Sequence, residues 1–193
     1  MLAPWRSPLA RALHRHRRQP QARYLQLATV TPEGYPANRT VVFRGFRDET
    51  NQLRIVTDAR SGKIAQLLQQ PWGEICWYFS ESREQFRLFG SLVLVAQDSP
   101  DPALQQERQQ IWQRLSDTAR SQFAWPHPGA ARDHRPESFA VAPPEPTAPL
   151  AEFCLLLLEP QRVDWLELCG EPQNRWRYVR DATGYWQQAA VNP

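Results

Sequence analysis

The chain has 193 residues with a formal net charge of +3; 41% of its residues are apolar and 22% are charged. That balance supports one domain with a sizeable core and excludes a wholly disordered or collagen-like chain. Three widely spaced cysteines fit a reducing cytoplasm, and the longest apolar run, residues 153–158, is far shorter than the roughly 20 residues that cross a bilayer.

The first 22 residues are basic and contain no acidic residue. Ser7 followed by Pro8 is typical of a helix start, and Pro20 closes a helix that reaches about Arg18. We expect residues 1–22 to form a basic helix packed on the rest of the chain. Its plainest interpretation is a solvated surface helix. A patch for nucleic acid or an anionic surface, and an arginine-rich transit peptide, are the alternatives.

From Arg23 onward, short runs rich in Val, Ile, Phe and Tyr alternate with turn residues, which predicts an antiparallel barrel or sandwich. The predicted strands are 24–30, 38–46, 53–57, 75–79, 85–96, 153–158, 163–168, 175–179 and 185–189. Apolar spacing by threes and fours predicts helices at 61–70 and 102–118, and a proline-rich loop follows at 124–150. Residues 23–193 are therefore expected to form a single mainly β domain, a β-barrel with flanking helices.

The most informative motif spans residues 57–63, Thr-Asp-Ala-Arg-Ser-Gly-Lys, where a predicted strand ends and a helix begins. A helix start presents free backbone N–H groups, and here Arg60, Ser61 and Lys63 lie beside it. Lys63 is the only lysine in the chain. The motif predicts a phosphate site, although the spaced glycines of a P-loop are missing. An ordinary Ser-capped helix with two solvated cations is the alternative.

A second candidate is the strand segment 38–44, Asn-Arg-Thr-Val-Val-Phe-Arg. Because strand side chains alternate between faces, Arg39 and Arg44 point to opposite sides. They cannot both grip one small group. Either one arginine serves a long ligand elsewhere along its length, or one is an ordinary surface residue.

Two further segments offer polar and aromatic groups. The amide of Gln85 can both donate and accept, which suits a ring with carbonyl and N–H edges. Trp165 and Arg175 lie on neighbouring predicted strands and offer an aromatic wall and a guanidinium. Taken singly, each is more simply a strand or core residue.

Metal and hydrolytic sites are not predicted. No cysteine or histidine lies at metal-ligand spacing. The four histidines fall in the N-terminal helix and the proline-rich loop, so no Ser-His-Asp or Cys-His arrangement is indicated.

Taken in chain order, these segments resemble one family, the pyridoxamine 5′-phosphate oxidase-like FMN-binding split barrels. The order is Arg-x-Val-Val-x-Arg from Arg39, Thr-Asp-x-x-Ser-x-Lys ending at Lys63, Arg-Glu-Gln-x-Arg-x-x-Gly around Gln85, and Asp-Trp with a late Arg-x-x-Tyr ending at Tyr178. The chain is most similar to the branch of FMN-binding domain proteins known from cyanobacteria and plants. The resemblance implies an antiparallel Greek-key barrel and a homodimer with FMN at the subunit interface.

The resemblance also implies cofactor-binding positions. Those of the first subunit are Arg39, Thr40, Val41, Val42, Arg44, Val56, Thr57, Arg60, Ser61 and Lys63, and those of the second are Gln85, Trp165 and Arg175. Lys63 binds the phosphate in this scheme. The family places an arginine directly before that lysine where this chain has Gly62, so Arg60 is expected to compensate. Arg44 stands where the family has a lysine near the ring and substrate, and it is the candidate catalytic group.

Two departures bear on activity. The oxidases recognise pyridoxal phosphate with an Arg-x-His motif, and this chain has Glu171, Pro172 and Gln173 at those positions. The family's Tyr, Arg and Ser clamp for the substrate phosphate also has no clean counterpart between Trp112 and Gln122. The sequence therefore predicts an FMN-dependent oxidoreductase of unassigned small-molecule substrate. A flavin-binding module without turnover and a true pyridoxamine or pyridoxine 5′-phosphate oxidase are the alternatives, and an RNA-binding barrel is a weaker one.

Overall fold

The computed structural model describes residues 2–193. The strands are β1 (Tyr24–Val30), β2 (Pro36–Phe46), β3 (Leu53–Asp58), β4 (Trp72–Phe79), β5 (Glu84–Val95), β6 (Phe153–Glu167), β7 (Asn174–Arg180) and β8 (Trp186–Val191). The α-helices are α1 (Arg6–Arg15), α2 (Lys63–Gln69), α3 (Pro102–Gln113) and α4 (Asp117–Ser121). Short 3₁₀ turns lie at Pro20–Arg23, Gln122–Ala124 and Pro136–Ser138.

Six antiparallel strands close into a barrel in the order β3-β2-β1-β4-β5-β6, because β3 also pairs with β6. The strands β7 and β8 extend the sheet beyond β6. The first half of β6 pairs with β3, and its second half pairs with β7. The predicted mainly β barrel with flanking helices is confirmed.

Alternation along the strands places one face in the barrel core and leaves the other outside. Leu25, Leu27 and Ile75 are fully buried inside. Trp5, which precedes α1, and Leu9 of α1 belong to the same core cluster. The first half of β6 is apolar on both faces because a second cluster, centred on α3, covers its outer side. Unbroken apolar runs are typical of strands buried on both faces.

Several predicted boundaries differ from the observed ones. The separate strands expected at 153–158 and 163–168 are one strand, because its register shift opposite Gly90 accommodates Pro160 without ending the pairing. The helix expected at 102–118 ends at Gln113, and Ser116 caps a second helix, α4. Among residues 2–193, no helix combines the length and apolar character that a membrane crossing requires.

Candidate functional site

Two cations meet at one end of the barrel, where β3 leads into α2. The Lys63 ammonium donates to Thr57 Oγ1 and to Ser61 Oγ, both at 2.7 Å. Lys63 opens α2, and Thr57 points inward from β3, so the strand-to-helix turn brings the two side chains together. Helix α2 has only seven residues. The site is therefore built from these side chains more than from the helix end.

The side chain of Arg39, on β2, completes this group. We call Lys63, Arg39, Thr57 and Ser61 the cationic corner. Its guanidinium donates to Leu27 O at 3.1 Å, Thr29 Oγ1 at 2.5 Å and Gln66 Oε1 at 3.0 Å. Thr29 Oγ1 also donates to Gln66 Oε1 at 2.6 Å, which ties β1 to α2. Four hydrogen bonds thus hold the Arg39 side chain and its partners in one arrangement.

The electrostatics of this corner favour an anion. Burial lowers the pKa of Lys63 from its ordinary value, and the positive charge of Arg39 lowers it further. Burial also lowers the pKa of Arg39. In the described part of the chain, the hydrogen-bond partners of both cations are uncharged oxygens. The charge of Asp58 acts in the opposite direction on Lys63, but Asp58 is paired with Arg60 and hydrogen bonds to neither cation. Two half-buried cations without a carboxylate among their hydrogen-bond partners are suited to a phosphate, which would supply a paired negative charge.

Arg60 takes a different position from the one the motif suggests. It forms a bidentate pair with Asp58, with N–O distances of 3.0 and 2.7 Å. The other donors reach Trp125 O at 2.9 Å and Phe123 O at 3.1 Å. The hydrogen bonds to Asp58 raise the pKa of Arg60. Arg60 therefore ties the turn before Lys63 to the start of the proline-rich loop, and its charge is already neutralised.

The outer face of β2 carries the next group of predicted residues. Thr40, Val42 and Arg44 lie on this face, while the side chain of Val41 is buried in the core. The Arg44 Nε is buried without a hydrogen-bond partner in residues 2–193. Burial lowers the pKa of Arg44, and the charge of Arg23 adds to the effect. Arg44 is thus a third cation without an acidic partner in the described residues, after Lys63 and Arg39.

Val56 and Thr57 are neighbours on β3 but face opposite ways. The Val56 side chain packs against the α3 cluster outside the barrel, and Thr57 faces Lys63. Only the backbone of Val56 is therefore available to a ligand at the cationic corner.

The structure does not bring Gln85, Trp165 and Arg175 to the cationic corner of the same chain. Their side-chain contacts lie elsewhere: Cys76 Sγ donates to Gln85 Oε1, and Arg175 pairs with Asp164. Gln85 and Arg175 share the outer face, each paired with Leu166 in the ladder. Trp165 points to the core, where it stacks on Phe86 with 5.7 Å between ring centroids.

Some functional neighbours were missed at the level of sequence. Thr29 and Gln66 hold Arg39, Arg23 approaches Arg44, and Asp164 binds Arg175. Gln66 follows Lys63 by three residues, so helical spacing could have found it. The other contacts join separate strands or depend on the turn that precedes β1.

The segment expected to face a substrate lies in the turn between β6 and β7. Glu171 and Pro172 are exposed, and Gln173 is half-buried. Together with Arg83 they line a shallow surface cleft. The turn therefore presents one acidic group and one arginine to a molecule approaching it.

The chain is similar in sequence to proteins of one family. Residues 2–96 match the family model described as "Pyridoxamine 5'-phosphate oxidase, FMN-binding domain". The chain is 37% identical over 194 residues to "Pyridoxine/pyridoxamine 5'-phosphate oxidase 2" of Arabidopsis thaliana, covering 100% of this chain and 98% of that protein. A pyridoxine/pyridoxamine 5'-phosphate oxidase of Gloeothece citriformis is 34% identical over 77 residues, 40% of this chain and 35% of the relative.

Solved structures show the same architecture. The crystal structure of a pyridoxamine 5'-phosphate oxidase-related, FMN binding protein from Nostoc punctiforme is 56% identical, covers 100% of both chains and superposes with a TM-score of 0.98. PhzG from Burkholderia lata, solved with tetrahydrophenazine-1-carboxylic acid, is 22% identical with a TM-score of 0.79, covering 97% of this chain and 91% of that one. The second likeness concerns the fold alone.

Proposed function

The chain belongs to the pyridoxamine 5′-phosphate oxidase-like family of FMN-binding split barrels, and on that premise we propose that it is an FMN-dependent oxidoreductase acting on a small molecule. The observation that carries the proposal is the cationic corner. There, the hydrogen-bond partners of Lys63 and Arg39 are hydroxyl, amide and backbone carbonyl oxygens, so neither cation is paired with a negative charge in the described residues. FMN ends in a phosphate, which supplies that charge.

The proposed phosphate site consists of Lys63, Arg39, Thr57 and Ser61. Lys63 and Arg39 supply charge-assisted donors, and the two hydroxyls can turn from Lys63 to donate to phosphate oxygens. We leave Arg60 out of the phosphate contacts because Asp58 and two backbone carbonyls already occupy its donors. This assignment differs from the expectation that Arg60 replaces the arginine missing at Gly62.

The flavin ring would lie along the outer face of β2, from the backbone of Thr40 to Val42 toward Arg44. Arg39 and Arg44 are five residues apart, about 17 Å along an extended strand, so one long ligand can meet both. This corresponds to the first of the two alternatives that the opposite faces of Arg39 and Arg44 leave open, in which a long ligand meets each at a different point.

A second copy of the chain would supply Gln85 and Arg175. In residues 2–193 their side chains contact Cys76 and Asp164 and form no hydrogen bond with the residues of the cationic corner. The outer face between the two sites also exposes large apolar side chains, with Tyr24 48% and Tyr78 47% exposed. A two-fold pairing of outer faces would cover these rings and complete two flavin sites at once.

The redox chemistry would come from FMN, which supplies two-electron transfer when bound. The chain's own residues bind and orient it and exclude water. Arg44 and the fork of Arg175 would be cationic donors beside the ring, where negative charge develops on reduction, and Asp164 holds the Arg175 fork in place. Fixed donors need no reorganisation when that charge appears. Arg44 is thus the candidate catalytic group, and the substrate is unassigned.

The direct test is to purify the chain and record its visible spectrum, its mass in solution and the mass of any ligand released on denaturation. We expect an oxidised-flavin spectrum, FMN as the ligand and a dimer. Colourless protein that also fails to take up added FMN would refute the proposal. If the chain binds FMN but no tested substrate or reductant reduces it, the result would instead support a flavin-binding module without turnover.

A second candidate is pyridoxine or pyridoxamine 5′-phosphate oxidation, which the full-length similarity to the Arabidopsis thaliana protein favours. The exposed carboxylate of Glu171 opposes it, because it would repel a substrate phosphate at that turn. Measuring peroxide release with pyridoxine 5′-phosphate and with pyridoxamine 5′-phosphate as substrates separates the two functions. We expect little turnover, and a gain when Glu171 is changed to Arg.

A further inference from the structure

Asp164 lies on the outer face of β6 among several arginines. Its direct neighbours across the sheet are Arg87 on β5 and Arg177 on β7. Arg87 is paired with Glu74 instead, at an N–O distance of 2.6 Å. The main partner of Asp164 is Arg175, which lies diagonally across the β6–β7 ladder. Asp164 thus has one strong partner among these arginines.

The Asp164–Arg175 contact is bidentate. Arg175 Nε donates to Asp164 Oδ1 at 2.9 Å, and Arg175 Nη2 donates to Asp164 Oδ2 at 2.8 Å. Arg177 Nε adds a longer contact to Oδ2 at 3.4 Å. Two parallel hydrogen bonds fix both the plane and the direction of the guanidinium. They use two of its five N–H donors and leave three on the far side.

The charge of Arg175 is neutralised in the same contact. Burial acts to raise the pKa of Asp164, but the hydrogen bonds and charges of Arg175 and Arg177 outweigh it and hold the pKa below its ordinary value. Asp164 is therefore ionised at neutral pH. The pair presents oriented N–H groups with little net charge. Asp164 also lines a cleft of about 380 Å³, and Arg175 is not one of the residues that line it.

Resting on the proposed function, we infer that Asp164 is a positioning residue for the flavin site. It aims the free edge of Arg175 at the flavin bound by the partner protomer and cancels most of the positive charge there. Two consequences follow. The fixed donors strengthen FMN binding, and the cancelled charge keeps the flavin harder to reduce than an unpaired arginine would.

The test compares Asp164→Asn and Asp164→Glu with the control Glu159→Gln. Glu159 forms an ion pair with Arg180 between the same two strands, at 2.7 Å, outside the proposed site. FMN affinity, the flavin midpoint potential and the melting temperature are measured for each. We expect Asp164→Asn to weaken FMN binding about three- to tenfold and to make the potential more positive. Asp164→Glu should recover part of the FMN affinity and part of the potential of the unaltered chain, and Glu159→Gln should change neither quantity.

The role of Arg175 is tested by repeating Asp164→Asn in an Arg175→Ala background. If Asp164 acts through Arg175, the second substitution has little further effect. Unchanged affinity and potential in Asp164→Asn would overturn this inference alone, as would an undiminished effect without Arg175. Failure of the unaltered chain to bind FMN would overturn the proposed function and this inference together.

Discussion

Replacing Lys63 with Met should weaken FMN binding and leave the stability of the apoprotein nearly unchanged. Lys63 and Arg39 repel each other at the end of the barrel, and burial penalises the ammonium. Met has a similar length and no charge. The substitution loses the two hydrogen bonds to Thr57 and Ser61 but relieves that repulsion, so the apoprotein should keep its stability to within about 1 kcal/mol.

FMN binding should change far more. One charge-assisted contact to the phosphate is worth roughly 1.5 to 3 kcal/mol, which is about a 10- to 150-fold loss of affinity. The assay is quenching of FMN fluorescence at fixed ionic strength, with thermal melting of the apoprotein alongside. Arg17→Met, which removes the same charge from the exposed turn after α1, is the control and should leave affinity unchanged. An affinity for Lys63→Met within twofold of the unaltered chain would refute the phosphate site.

Other predictions follow from the same geometry. FMN affinity should fall as pH rises from about 7 to 10, because the pKa of Lys63 is lowered and only its ammonium form attracts the phosphate. Binding therefore takes up protons in this range. Titrations of Lys63→Arg, which stays charged, should lack this fall. Tyr78→Glu places a charge on the exposed outer face, so chromatography should show monomers with weakened FMN binding, and a dimer with normal affinity would contradict the proposed interface. Gly90→Ala should lower the free energy of unfolding by about 3 kcal/mol, because the new Cβ would lie 2.0 Å from Glu159 O; denaturation within 0.5 kcal/mol of the unaltered chain would contradict that packing.

The local pattern of apolar residues predicted most of the strands. Alternation of apolar residues is a property of neighbouring positions, so strands such as Tyr24–Val30 were found with correct bounds. The ends of strands were predicted less well. The break expected between 158 and 163 is absent, because Gly90 on the paired strand leaves room for the backbone beside it. That accommodation involves residues far apart in sequence.

The candidate site, too, was predicted only in part from the sequence. The motif around Lys63 and the opposed faces of Arg39 and Arg44 were visible in the sequence, because each rests on spacing within one strand or one turn. The commitment of Arg60 to Asp58 and two loop carbonyls was not, because one of its contacts spans 65 residues.

The amino-acid sequence by itself determined the class of fold, the single lysine at a strand-to-helix turn and the family resemblance. Only the tertiary structure decided which cations stay unpaired, which face of the sheet each aromatic ring occupies, and that Asp164 holds Arg175. Charge pairing depends on distances of a few ångströms between separate strands, and those distances are set by sheet order and register.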